Sequence, residues 1–285
     1  MSTKEKSKGL FLFKRFLPAS KRGKKGLPFS IDKRKKFVIG TLVLSIGLFF
    51  TEYQFNTSGI WAALLLSFTT ELFLFWAIYK DAKENKTYEV FLLPFFYSLA
   101  FALFYFLTPA AFISRLLLTA VYAFGLYSLF LSQNILVVSS IRTIALLSGS
   151  RIVSFVITLV SYFFLTNTIF TFHTTIFPII VIMLFYTYLL VYHSLWTYVL
   201  QKDSQPLSLW CSAITVCLVE AATIIWFWPT NPTVIALFLT GFFYTIVGLS
   251  HMWFEKRLFK GILWEYVWVG CIVFFVLILF TPWCK

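Results

Sequence analysis

Again and again this chain runs for about 20 residues with almost no charge, the length a helix rising 1.5 Å per residue needs to cross a hydrocarbon core. Each run ends at a short polar break containing Lys, Asn or Pro. Composition carries the same message. The sequence is 60% hydrophobic, 21% aromatic and 12% charged, with a mean hydropathy of +0.85, whereas soluble domains carry about 25% charged residues. A soluble globular domain is thereby excluded. The expected fold is an all-α polytopic transmembrane bundle of about nine spans, forming one domain over residues 37–285.

The runs place spans near 37–55, 59–79, 88–107, 110–131, 151–170, 174–198, 207–228, 233–253 and 261–280. The first follows a long basic stretch and leads into Glu52-Tyr53-Gln54 without a small-residue cleavage pattern, so it reads as a retained span and not as a signal peptide. The least regular segment is Gln133 to Ser150, apolar but interrupted by Asn134, Ser139, Ser140, Arg142 and Gly149. It is expected to lie at the cytoplasmic interface, to extend the fourth span, or to re-enter the membrane.

Net charge is +13, and its location matters more than its size. Residues 1–36 hold 13 Lys/Arg against Glu5 and Asp32. This tail is expected to be largely disordered and to bind anionic lipid headgroups, with Leu10 to Leu17 (LFLFKRFL) as an interfacial anchor. Nucleic acid is not an expected partner, because no folded reading element accompanies the charge. With nine spans, Lys80, Lys83, Lys86, Arg142, Arg151, Lys202, Lys256, Arg257 and Lys260 fall on the same side as the tail. Only Arg115 and Lys285 fall opposite, so 22 of 24 basic residues share one side. The positive-inside rule then puts the N-terminus in the cytoplasm and the C-terminus outside. The expected location is the bacterial cytoplasmic membrane.

One internal repeat is visible. Phe185-Tyr186-Thr187 with His193 recurs 58 residues later as Phe243-Tyr244-Thr245 with His251. That offset covers two spans and points to a parallel hairpin duplication over 151–198 and 207–253.

Two carboxylates stand inside apolar runs, Glu71 in SFTTELFLF and Glu220 in CLVEAATII. An ionised group near the bilayer centre costs about 2.5–3.5 kcal/mol on insertion scales. Each is therefore expected to face protein or water. Arg115 matches Glu220 in depth and is its expected partner, and Arg142 or Arg151 could approach Glu71. Together Glu71, Glu220 and Arg115 form the candidate polar or substrate site. His193 and His251, at the cytoplasmic ends of two spans, are candidates for a cytoplasmic entrance. His173 falls in an outer loop and carries no expectation.

No catalytic residue, metal site or cofactor is expected. Cys211, Cys217, Cys271 and Cys284 form neither a CxxC nor a Cys/His cluster. Gly248-Leu249-Ser250-His251 departs from a nucleophile elbow at Met252. Asn56-Thr57-Ser58 is a sequon relevant only to a eukaryotic secretory pathway. Three functions fit these features. A transporter or permease-like bundle would use the buried Glu and Arg residues. A non-enzymatic membrane scaffold would use its tail as a docking arm. An interfacial lipid-processing enzyme would use the two histidines.

Overall fold

The computed structural model describes residues 33–54, 59–85, 87–108, 111–139, 146–172, 175–199 and 207–281. The expectations for the tail before Lys33, the sequon, Arg142, His173, Lys202 and Cys284 lie outside those residues. Where lipid is the solvent, backbone N–H and C=O groups must bond within their own segment, which leaves the helix as the form of a single span. The described residues accordingly form nine long helices and no strand. They are α1 (Lys33–Gln54), α2 (Gly59–Asn85), α3 (Leu92–Leu107), α4 (Phe112–Ser139), α5 (Leu147–Thr171), α6 (Ile176–Val199), α7 (Leu207–Trp226), α8 (Pro232–Phe254) and α9 (Lys260–Leu279). Eight of them, α2 to α9, hold apolar windows long enough to cross a membrane. The other, α1, opens on four consecutive basic residues before its apolar stretch starts at Phe37.

The chain is thus an all-α polytopic membrane bundle. The irregular segment resolves into its neighbours: Gln133 to Ser139 continues α4, and Leu147 to Ser150 opens α5. A 3-10 turn, Tyr88–Phe91, leads into α3, which accommodates Pro94 in its first turn, where a missing N–H costs little.

Eight helices close into two rings of four. In the first, α1 packs on α2, α2 on α3, α3 on α4, and α4 returns to α1. In the second, α5, α6, α7 and α8 repeat that order, with α8 returning to α5. The rings meet where α5 packs against α3 and α4, so α5 lies at the centre of the molecule. Its neighbours bury Ser150, Ser154, Thr158, Ser161, Tyr162 and Thr166 along it.

Alternation of direction gathers the basic residues at one end. Lys36 at the start of α1 sits 4.3 Å above the Trp76 ring near the end of α2, and Arg151 at the start of α5 reaches Glu255 just after α8. We call this the basic end. Arg115 starts α4 at the other end.

The last helix, α9, packs chiefly on α8, and just 6% of its apolar window is buried. Two glycines of α8 make the contact. A Cβ at Gly248 would strike the Tyr266 ring, and one at Gly241 would lie 2.5 Å from the Val273 side chain. The link after α7 adds a tie, as Trp228 Nε1 donates to Thr281 Oγ1 at 2.7 Å. Replacing both glycines by leucine should push α9 off α8 and leave the two rings standing. Proteolysis in detergent would then release α9 by cleavage between Glu255 and Lys260, with the thermal midpoint of the remainder unchanged. Equal protease resistance in wild type and variant would show that the glycines do not set the contact.

Candidate functional site

The seam where α5 meets α6 and α8 holds a succession of polar side chains from one end of the bundle to the other. At the basic end Arg151 is the hub. Its Nε donates to the Thr197 carbonyl at 2.9 Å, its Nη1 pairs with Glu255 Oε1 at 3.3 Å, and its guanidinium lies over the Tyr198 ring at 4.8 Å. Glu255 is held there by the way α8 ends. Lys256 takes φ 57°, the Arg257 N–H bonds the Met252 carbonyl, and the Lys256 N–H bonds the Trp253 carbonyl. This is a Schellman closure with lysine in the left-handed position normally given to glycine. Arg257 then approaches Glu255 from solvent at 3.8 Å.

One turn deeper, Ser194 Oγ of α6 and His251 Nε2 of α8 are 3.0 Å apart. The imidazole is clamped by Tyr198, stacked at 4.0 Å, and by Phe155, edge-on at 4.8 Å. The separation is one a nucleophile and its base use. Both side chains are sealed, however, with Ser194 3% and His251 2% exposed. The pair acts as a tie between α6 and α8.

His193 points elsewhere. On a helix it shares a face with Tyr186 and Thr197, both of which touch α5, through Thr166 Oγ1 at 2.8 Å and through Arg151. His193 is completely buried, and neither ring nitrogen has a hydrogen-bond partner. Further along, Tyr162 OH and Thr187 Oγ1 lie close to one another, yet neither closes a hydrogen bond of good geometry. Beyond them Thr233 Oγ1 donates weakly to Asn167 Oδ1 at 3.5 Å. A recess of about 280 Å³ follows, lined by Phe170, Trp226, Trp228, Thr230 and Ile235. Arg151 and Asn167 are sixteen residues apart on α5, which is about 24 Å of helix, close to the hydrocarbon thickness.

The first ring has its own polar cluster. Thr70 Oγ1 and Ser98 Oγ are 2.8 Å apart, and Ser98 Oγ and Tyr122 OH 3.0 Å. Tyr97 OH donates to the Tyr122 carbonyl at 3.1 Å. Unlike the seam, this cluster is bonded throughout.

The residues expected from the sequence to form one site are not brought together. Glu71 is half-buried between α2 and α3, where the Phe95 N–H faces its carboxyl, and its Oε1 is sealed without a partner. Arg115 is half-buried on α4. Glu220 corrects the expectation most sharply. Its helix, α7, packs on α6 and α8 and not on α4, so Arg115 and Glu220 do not pair, and the Glu220 side chain is exposed. Both histidines, expected at an interface with water, are instead interior. The two Phe-Tyr-Thr copies also turn different residues inward. Tyr186 and Thr187 are buried while Phe185 is exposed, whereas Phe243 is the buried member of the second copy.

Arg151 as a hub, Thr187 as more than a repeat marker, and Tyr162 and Ser194 altogether were not read from the sequence. A signal was present in the four- and three-residue spacing of Ser150, Ser154, Thr158 and Ser161, which marks a polar stripe on one helix face. Among the described residues no cluster of metal-ligating side chains occurs.

A bundle of membrane-length apolar helices, with hydroxyl, imidazole and guanidinium groups turned inward, defines a multi-pass integral membrane protein. The chain belongs to the family described as a protein of unknown function (DUF5656), whose model matches residues 39–280. No curated protein and no solved structure matches it.

Proposed function

We propose that this chain is a transporter or permease-like bundle whose path follows the α5–α6–α8 seam, moving protons or a small neutral polar solute. The observation that carries the reading is His193, fully buried with both ring nitrogens unbonded. A buried polar group without a partner costs about 1–3 kcal/mol, so such groups persist where something else is to be bonded. One level further along, Tyr162 and Thr187 have hydroxyl neighbours within reach but close no well-aligned bond. Among the described residues, the groups named along the seam between Arg151 and the outer recess are hydroxyls, imidazoles and an amide, which suit a proton relay or an uncharged solute better than an organic ion. Glu71, Glu220 and Arg115 lie off this path. By the positive-inside rule the basic end faces the cytoplasm, and the reading takes the membrane to be the bacterial cytoplasmic one. The N-terminal tail, on this reading, rests on anionic headgroups.

The test is flux in proteoliposomes, read with an internal pH dye under a potassium diffusion potential and by light scattering after a glycerol gradient. Wild type should exceed protein-free vesicles in one arm. His193→Phe, which fills the space without polar atoms, should return that arm to the protein-free rate, while His193→Gln retains part of it. Rates equal to protein-free vesicles in both arms, with correctly inserted wild type, would refute the reading. A specific observation favours assembly as a second role: the uncovered Glu220.

A further inference from the structure

At 100° per residue, Leu209, Ala213, Val216, Ile224 and Phe227 of the α7 stretch all fall within about 40° of Glu220. Leu209 is 66% exposed, Val216 50% and Ile224 68%, and Glu220 is exposed at the middle of them. The opposite side of α7 is buried through Cys211, Ile214, Leu218 and Ile225. Glu220 therefore points straight away from its own chain. Trp226 ends the helix six residues later, which sets the carboxyl about 9 Å inside the apolar span. A side chain as short as glutamate cannot reach headgroups from there. Thr223 Oγ1 donates to the Glu220 backbone carbonyl, and among the described residues the carboxyl itself has no hydrogen-bond or ion-pair partner.

We propose that α7 is the contact helix of a two-fold dimer in which Glu220 of one protomer hydrogen-bonds Glu220 of the partner subunit. Burying an ionised carboxylate in hydrocarbon costs far more than burying the neutral acid. A neutral acid is donor and acceptor at once, so two of them are self-complementary. A two-fold axis along the membrane normal brings the same residue of both protomers together. A foreign helix carrying Lys or Arg is the rival occupant, and Glu220→Gln separates the two, since a pair of amides is still self-complementary whereas an ion pair needs the carboxylate. Ala213 and Cys217 accompany Glu220 on the uncovered side, and small residues allow two helix backbones to approach closely.

Cross-linking in native membranes tests this. In a chain whose four cysteines are replaced by alanine, Ala213→Cys should form a disulfide dimer on copper-phenanthroline oxidation. Ile272→Cys, exposed on α9, should not. Adding Glu220→Leu should lower the Ala213→Cys dimer to the level of the Ile272→Cys control, and Glu220→Gln should keep it. Glu220→Leu removes a polar group from lipid, so loss of fold does not explain loss of dimer, and its monomeric elution profile checks this. Three results each overturn the proposal: no Ala213→Cys dimer, a dimer that survives Glu220→Leu, or an adduct with a different membrane protein in place of the dimer.

Discussion

Gly125→Val is expected to lower the thermal midpoint in detergent more than any other single change considered. A Cβ at this position of α4 would run into the Tyr97 hydroxyl and come within 2.9 Å of its Cζ. Tyr97 has nowhere to retreat. Its ring stacks on Tyr122 at 5.6 Å with 9° between planes, packs on Phe101 at 4.6 Å, and is nearly fully buried. Displacing it breaks its bond to the Tyr122 carbonyl and disturbs the Ser98 and Thr70 hydroxyls that share the cluster. Overpacking costs about 1–3 kcal/mol, and a stranded buried hydroxyl about as much again. The sum, roughly 2–6 kcal/mol, corresponds to a midpoint lower by about 4–24 °C for a bundle of this size. The double variant Gly125→Ala, Tyr97→Phe distinguishes collision from a general glycine effect, because it removes the hydroxyl the new methyl meets. It should be less harmful than the separate losses added together, whereas strict additivity would show that the two residues do not touch.

Arg151→Ala should have the second largest effect. One guanidinium joins α5 to the α6 backbone and to the end of α8, and lies over an aromatic ring of α6. Its side chain is 18% exposed and that of Glu255 25%, so water screens the pair partly. The expected loss is about 1–3 kcal/mol, below that of a fully buried pair. Arg151→Lys should recover little, because an ammonium cannot serve the Thr197 carbonyl and Glu255 from two directions. Glu255→Gln should cost less than Arg151→Ala. Midpoints measured for the three variants decide the point, and a lysine variant as stable as wild type would reduce the hub to simple charge.

The helices were legible in the sequence for a simple reason. Lipid demands long apolar runs, and nine runs became nine helices among the described residues, with ends shifted by up to eight residues, the most where α4 runs on to Ser139. Interior contacts followed no comparable rule. Ser194 and His251 meet across 57 residues, and nothing in the local sequence of either names the other. Arg151 looked like one more cytoplasmic charge, since charge counting sees side and not direction. The expectation that intramembrane carboxylates face protein or water offered Arg142 or Arg151 to Glu71, yet Glu71 lies between α2 and α3 while Arg151 is tied to α6 and the end of α8, and Glu220 is exposed, because span counting gives depth and not direction. Serines and threonines were overlooked because within apolar helices they commonly bond their own backbone, as Thr158 does to the Ser154 carbonyl.

The two rings also bear on the order in which the chain is made. Closing the first ring requires α1 to remain in lipid until α4 has been synthesised. Its hydroxyls suit it to that interval, since Thr41 Oγ1 bonds the Phe37 carbonyl and Ser45 Oγ the Thr41 carbonyl, both on α1 itself. Thr70 likewise bonds the Leu66 carbonyl of its own helix and keeps that bond beside Ser98. Thr166 of α5 meets Tyr186 on the very next helix, and His251 on α8 finds Ser194 already inserted. Hydroxyls of late helices carry the same provision, as Thr240, Thr245 and Ser250 bond carbonyls of α8 itself, so a helix waiting in lipid for its neighbours already has partners for these groups.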